Sequence, residues 1–103
     1  MSNVNGQTHE GGTETVFRND DRGFIAWVAR HPQGFILNRY RSNGASSQVL
    51  HRAHCTLFRT SHDSPYAFTG ARFIKICADN VEPLEAHAKR IGGVLTRCRI
   101  CNP

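Results

Sequence analysis

Four apolar residues near the start of the chain recur at helical spacing, namely Phe24, Ile25, Trp27 and Val28. Asp20 or Asp21 can cap a helix at this point, because a short acidic side chain accepts hydrogen bonds from the first free backbone N–H groups. His31-Pro32 ends it, since the residue before a proline is pushed away from helical angles. The pattern predicts a first helix between these signals.

A second set of apolar residues shares one helical face near the end of the chain, namely Val81, Leu84, Ala88 and Ile91. Asp79 or Asn80 can cap this helix, and Gly92-Gly93 supplies a left-handed stop. A second helix is therefore predicted between Asn80 and Gly92.

Between the two helices the pattern changes to that of strands. Residues 34–41, which begin with the apolar residues 35–37, are predicted as a strand. Residues 42–47 are rich in turn residues, and residues 48–51 can return as the second strand of a hairpin.

Residues 72–77 place the basic side chains of Arg72 and Lys75 among apolar ones, and we predict a strand with one face in water. The predicted fold class is α+β, a small domain with a β-hairpin or short antiparallel sheet and two helices.

The first nineteen residues have a different character from the rest. They are polar and Gly-rich, with few apolar groups to offset the cost of ordering the chain. We therefore predict a disordered tail over residues 1–19 and a single folded domain over residues 20–103.

Charge sharpens this division. The whole chain of 103 residues has a net charge of +5, but its first 21 residues carry one arginine and four acidic residues. The remaining residues carry twelve basic and four acidic side chains, a net charge of +8. A domain this basic favours a polyanionic partner such as nucleic acid.

The role of the four cysteines depends on whether the protein is in a reducing or an oxidising compartment. No apolar run approaches the roughly 20 residues of a membrane-spanning helix, and the N-terminus lacks the pattern of a secretory signal. A cytoplasmic location with no membrane partner is therefore expected. In that reducing setting, the four cysteines suggest a metal site before they suggest disulfides.

Two short motifs at the ends of the domain carry the candidate metal chemistry. Cys98-x2-Cys101 can hold one tetrahedral ion with two thiolates, and His51-x3-Cys55 can supply the other two ligands. Four protein ligands leave no open position for water or substrate, so the expected cofactor is one structural Zn²⁺. His54 is an alternative nitrogen ligand, although it would need a sharper bend beside Cys55.

Cys77 is the remaining thiol, and a buried, inert cysteine at the end of a strand explains it most simply. Four reduced thiols, or disulfide pairing, are the alternatives to a metal site.

The segment from residue 49 to residue 103 resembles the small zinc-binding domain at the start of the Ada DNA-repair methyltransferases, which also occurs in bacterial nuclease-associated and stand-alone modules. The matching residues are His51-x3-Cys55, the stretch 88–93 that ends in Gly92-Gly93, and Cys98-x2-Cys101 followed by Asn102-Pro103. The resemblance implies a zinc site and a nucleic-acid context.

Two features depart from the Ada pattern. His51 stands where the methyl-accepting cysteine of Ada would be, so methyl transfer to this position is not expected. The connection from Cys55 to Cys98 is also longer and contains the extra predicted strand. The expected role is a non-catalytic nucleic-acid-binding module, for DNA in preference to RNA.

Basic side chains on the predicted strands and around the metal motifs are the candidate nucleic-acid contacts. Arginine is well suited to this task because its planar fork matches phosphate and can stack on bases. The candidates are Arg39, Arg41, Arg52, Lys75, Arg97 and Arg99. The alternative explanation is that these basic side chains only keep a small protein soluble.

A base or ligand pocket is a further hypothesis. Trp27, His31 and Asn38 could hold a splayed base by stacking and amide hydrogen bonds.

Two other classes of function compete with nucleic-acid binding. The first is a module that docks on a protein partner through Phe24, Trp27 and Phe35.

The second is a small nuclease that uses His31, His51 or His54, although the domain lacks the acidic pair of a two-metal site. His87, on the second predicted helix, is expected at the solvated surface.

Overall fold

In the part of the chain that the structure describes, the central feature of the fold is a six-stranded sheet with one helix on each face. The structure is a computed structural model and describes residues 9–11, 14–40, 48–55, 68–70, 73–93 and 95–103, the first three as backbone only. The strands are β1 (His9–Gly11), β2 (Glu14–Phe17), β3 (Phe35–Tyr40), β4 (Gln48–Arg52), β5 (Phe73–Ala78) and β6 (Leu95–Arg97), and the helices are α1 (Asp21–Arg30) and α2 (Val81–Arg90).

The α+β class is confirmed, and both helices begin and end near the predicted signals. The Asp20 side chain caps α1 by accepting a hydrogen bond from the Gly23 N–H at 3.0 Å, and His31 is its C-cap. Asn80 is the N-cap of α2, and Gly92 follows it with a φ of 76°, the left-handed region that favours glycine. The predicted turn at 42–47 lies outside the described residues.

The sheet is mixed, with strand order β1-β2-β5-β3-β4-β6. The β3–β4 pair confirms the predicted hairpin strands, and β5 lies antiparallel between β2 and β3. The last strand differs from the predicted antiparallel sheet, because β6 runs parallel to β4. With only three residues, β6 carries too little pattern to be recognised as a strand from its sequence.

Each helix covers one face of the sheet. The neighbouring residues Ile36 and Leu37 of β3 point to opposite faces, and both are fully buried. Ile36 packs in a cluster with Phe24 and Trp27 of α1, whereas Leu37 packs in a cluster with Leu84 of α2. The sheet therefore forms the middle of three layers.

This layering corrects the prediction for the strand at 72–77. One face of β5 was expected to be in water, but residues 74–78 are all buried. Helix α1 covers the face that carries Lys75, which is only 3% exposed. A lysine in a strand does not by itself show that its face is in water, because a long lysine side chain can be buried when its ammonium group finds partners.

The predicted disordered tail is also corrected in part. Residues 14–17 form β2, which pairs with β5, and Glu14, Val16 and Phe17 are buried. Residues 9–11 form β1 at the edge of the sheet. The folded part thus starts well before residue 20, while residues 1–8 lie outside the described residues.

Asp21 fixes the connection that precedes β5. Its carboxylate accepts hydrogen bonds from the backbone N–H groups of Phe68 and Thr69 at 3.0 and 2.7 Å, and from the Thr69 hydroxyl at 2.6 Å. The start of α1 is thereby joined to residues 68–70. Within the described ranges, no helix combines the length and apolar composition needed to cross a membrane.

Candidate metal centre

The first half of the candidate site lies at the end of β4. His51 is opposite Ile36 of β3, so the strand pairing fixes its position, and its side chain is buried. The chain then turns, with the Cys55 N–H donating to the Arg52 carbonyl at 3.0 Å. This turn brings Cys55, which is 1% exposed, back to the same place as His51.

The second half follows β6. The Cys98 N–H donates to the Leu50 carbonyl at 2.9 Å and so continues the pairing of β6 with β4. The next residues form a tight knuckle, in which the Ile100 N–H points at Cys98 Sγ and the Asn102 N–H donates to the Cys98 carbonyl. The parallel strand pair therefore delivers the Cys98-x2-Cys101 motif beside His51.

The four predicted ligands come together. One ligand atom from each of His51, Cys55, Cys98 and Cys101 lies within 4.8 Å of all the others. Sulfur atoms around a tetrahedral zinc ion at about 2.3 Å are separated by about 3.8 Å, so only a small contraction is needed. The residues present thus fit a four-coordinate metal ion, and all four positions would be filled by protein.

The local electrostatics suit metal binding. Burial, and secondarily the charge of Lys75, lowers the pKa of His51 to about 4, so its imidazole is neutral and able to ligate at neutral pH. Burial alone would raise the pKa of the Cys98 thiol. Hydrogen bonds from the backbone N–H groups of Cys101 and Ile100, with the neighbouring thiols of Cys101 and Cys55, outweigh this effect and lower the pKa.

Arg52 supports the knuckle from β4. Its Nε donates to the Cys101 carbonyl at 3.0 Å and its Nη2 to the Asn102 carbonyl at 3.1 Å. Its backbone N–H also points at Cys101 Sγ at 3.2 Å. Arg52 was predicted as a nucleic-acid contact, but the structure gives its guanidinium group a role in holding the metal-site backbone.

Two questions left open by the sequence are resolved. The histidine that lies with the three cysteines, and that could ligate a metal ion, is His51; His54 is exposed on the turn. Cys77 is fully buried beneath α1, and burial raises its pKa well above the ordinary value. The expectation of a buried, inert Cys77 agrees with this environment.

The residues predicted to contact nucleic acid differ in their exposure. Arg97 and Arg99 are exposed next to the metal site; the Arg97 side chain is 48% exposed and lies 3.6 Å from the Glu85 carboxylate. Lys75 is wrong as a surface contact, because its ammonium group is buried and donates to Asn38 Oδ1 at 2.6 Å. Arg39 is half-buried against α2, and Arg41 lies outside the described residues.

The predicted base pocket is not formed. Trp27 is only 7% exposed, and His31 stacks on its ring with centroids 4.2 Å apart and planes 13° apart. Asn38 is hydrogen-bonded to Lys75 instead. Because His31 already occupies a face of Trp27, the three residues do not make an open pocket.

The predicted protein-docking surface is also corrected, because its three aromatic residues pack in or against the core. Phe24 is fully buried, Trp27 is nearly so, and Phe35 packs against the core beneath α2. These aromatic residues hold the two helices on the sheet and offer no exposed patch.

Sequence reasoning missed one polar cluster. His87 was expected at the surface and Glu14 in a tail, yet both are buried and the His87 Nδ1 lies 2.7 Å from Glu14 Oε2. The only signal for Glu14 was its place two residues before Val16, an alternation too short to predict a strand.

No family model, curated protein or solved structure was found to match this chain. The resemblance to the Ada zinc domain therefore rests on the spacing of the ligand residues.

Proposed function

We propose that this chain is a zinc-stabilised, non-catalytic module that binds nucleic acid, DNA in preference to RNA, in the cytoplasm. The zinc half of the proposal is supported by the cluster of one histidine and three cysteines. This ligand set is typical of structural zinc, and the reduced thiols it requires suit the cytoplasm. The Ada-like spacing adds a DNA context.

The nucleic-acid half is carried by exposed cations beside the metal site. Arg97 and Arg99 are exposed at the knuckle, and Lys89, exposed near the end of α2, lines with Arg97 a groove of about 500 Å³ between α2 and β6. Ala88 and Leu95 contribute apolar surface to this groove, and Glu85 is its acidic residue. Two cations spaced along a groove are suited to neighbouring phosphates of a backbone.

A binding assay with DNA and RNA of the same sequence tests the proposal. If Lys89, Arg97 and Arg99 each neutralise one phosphate, raising the salt from 50 to 200 mM should weaken binding about 40-fold. Arg97→Gln and Arg99→Gln should each weaken binding and reduce the salt slope by about one. Arg22→Gln, which removes an exposed arginine of α1, is the matched control and should leave binding nearly unchanged.

Absence of binding to both nucleic acids at 50 mM salt contradicts this function. Binding that does not respond to salt would also contradict it, because phosphate contacts release counterions.

A further inference from the structure

A chain of polar contacts joins β2, α2 and β3 on the sheet face that α2 covers. Glu14 Oε2 accepts from His87 Nδ1 at 2.7 Å and from Arg90 Nη2 at 2.9 Å. His87 Nε2 lies 3.2 Å from Arg39 Nη1, a group that can only donate. Arg90 Nη2 also lies 3.3 Å from His87 Nδ1, so contacts at both ring nitrogens hold His87, which in turn holds the Arg39 guanidinium group in place.

Arg39 retains donors that this chain of contacts does not use. Among the residues that the structure describes, its Nε is buried and has no hydrogen-bond partner. Burial, and secondarily the charge of Arg18, lowers the pKa of Arg39. The Arg39 guanidinium group is therefore partly shielded from water and close to the positive charge of Arg18. Its Nε–H is still available to donate a hydrogen bond.

The register of the sheet explains why Arg18 is close. Phe17 is opposite Lys75, so Arg18, the next residue, lies at the level of Ile74. Arg39 is opposite Ile74 on its other side. Adjacent strands are about 4.8 Å apart, so the two arginines flank Ile74 with their Cα atoms about 10 Å apart. Ile74 is itself buried, so a tetrahedral anion would be held between the two guanidinium groups at the ends of these long side chains and not against Ile74.

The charges of this cluster do not balance. Arg18, Arg39 and Arg90 face a single described carboxylate, that of Glu14. Two positive charges remain in excess in a half-buried site. Like charges held together at the edge of a fold cost stability, and a bound anion would offset that cost.

We propose that Arg18 and Arg39 form a phosphate-binding site, with His87 and Glu14 as positioning residues for Arg39. Guanidinium forks match phosphate oxygens with paired N–H donors, which makes phosphate the favoured anion. The source of the phosphate is the nucleic-acid backbone, a point that rests on the proposed function. Because Arg39 is opposite Gln48 while His51 is opposite Ile36, this site lies toward the other end of β3 from the metal centre.

The test is an NMR titration of the full chain with inorganic phosphate against chloride at constant ionic strength. Saturable shifts of the arginine Nε–Hε signals are expected in the wild type. Arg39→Gln and Arg18→Gln should weaken phosphate binding on the order of tenfold to a hundredfold, the range expected for losing a charged hydrogen bond. Arg30→Gln removes an exposed arginine from α1, on the opposite face of the sheet, and should bind phosphate like the wild type.

Arg18→Gln keeps the test decisive if Arg39→Gln unfolds, because Arg18 is outside the buried contact chain. The proposal is overturned if the wild type shows no saturable shift, or if the Arg18→Gln and Arg30→Gln proteins bind phosphate equally.

Measuring the binding of a DNA duplex by the same proteins separates this proposal from the proposed function. Weaker binding of a DNA duplex by Arg18→Gln, in parallel with weaker phosphate binding, supports both. If the wild type binds DNA and Arg18→Gln binds it equally well, the backbone is not the ligand here and this proposal fails while the function stands. If the wild type binds phosphate but no DNA, the function fails and the site stands as one for a small phosphate compound.

Discussion

Lys75 carries its ammonium group inside the fold, on the sheet face that α1 covers. Its Nζ donates to Asn38 Oδ1 at 2.6 Å and lies 4.8 Å from the centre of the Phe73 ring and 5.9 Å from that of Phe24. Hydrogen bonding and ring contacts compensate only part of the lost hydration. Burial accordingly lowers the pKa of Lys75 to about 8, although the nearby Cys77 and Asp21 act in the opposite direction.

This environment predicts how stability depends on pH. Between pH 8 and the ordinary lysine pKa of 10.5, the unfolded chain binds more protons at Lys75 than the folded chain. The free energy of unfolding therefore rises with pH in this window, by up to about 3 kcal/mol from Lys75. Urea unfolding of the wild type and of Lys75→Met at pH values from 7 to 10.5 measures it.

The difference between the two proteins isolates Lys75, because both keep the same cysteines. For Lys75→Met, the free energy of unfolding should lack the part of its rise with pH that comes from Lys75. Near pH 7 this variant should be more stable than the wild type. Parallel stability curves for the two proteins would show that the buried ammonium group has an ordinary pKa.

Single residues differ in how well sequence predicts their surroundings. His51 and Cys55 could be assigned as ligands because their spacing is a local property that metal coordination requires. The burial of Lys75 and of His87 depends on helices that pack over them from distant parts of the chain. No local pattern carries that information, so both were expected at the surface.

The two helices begin in different ways. The N-cap Asp20 accepts a hydrogen bond from the Gly23 N–H, whereas the side chain of the N-cap Asn80 makes no capping hydrogen bond. Asp20 also stands next to the positive end of the helix dipole. The start of α1 thus depends on its cap more than the start of α2 does.

Matched substitutions test this difference. Asp20→Ala should lower the free energy of unfolding by about 1 kcal/mol, because a first-turn N–H loses its acceptor. Asn80→Ala should cost clearly less, since no capping bond is lost. Thermal or urea unfolding of both variants gives the comparison, and equal losses would mean that the Asp20 cap contributes nothing specific.

Elements were predictable in proportion to their length. Both ten-residue helices and the strand β3 carry enough periodicity to be recognised. The strands β2 and β6, with four and three residues, are defined by their partners β5 and β4. Pairing over a long distance in sequence decides such elements, and a local pattern does not record it.

The whole molecule joins its last residues to the sheet in two ways. The short strand β6 pairs with β4, and the knuckle that follows brings Cys98 and Cys101 to His51 and Cys55. Three residues of parallel pairing give little stability by themselves. A metal ion held by all four side chains would contribute folding energy directly and fix the end of the chain.

The charge of the molecule is distributed to match this arrangement. Exposed Arg97 and Arg99 lie near the knuckle, while Arg18 and Arg39 lie toward the other end of the sheet. The net charge of +8 on residues 22–103 predicted a polyanionic partner, but it could not divide the arginines between two places. That division follows from strand register, which the sequence pattern leaves open.

The central claim is that one histidine and three cysteines hold a zinc ion, and the zinc content of purified protein tests it most directly. We expect about one zinc ion per chain in the wild type and in Cys77→Ala, since Cys77 is buried away from the cluster. Cys98→Ala makes the same chemical change inside the cluster and should retain far less. A wild-type protein purified without zinc, or equal zinc contents in the Cys77→Ala and Cys98→Ala proteins, would contradict the account.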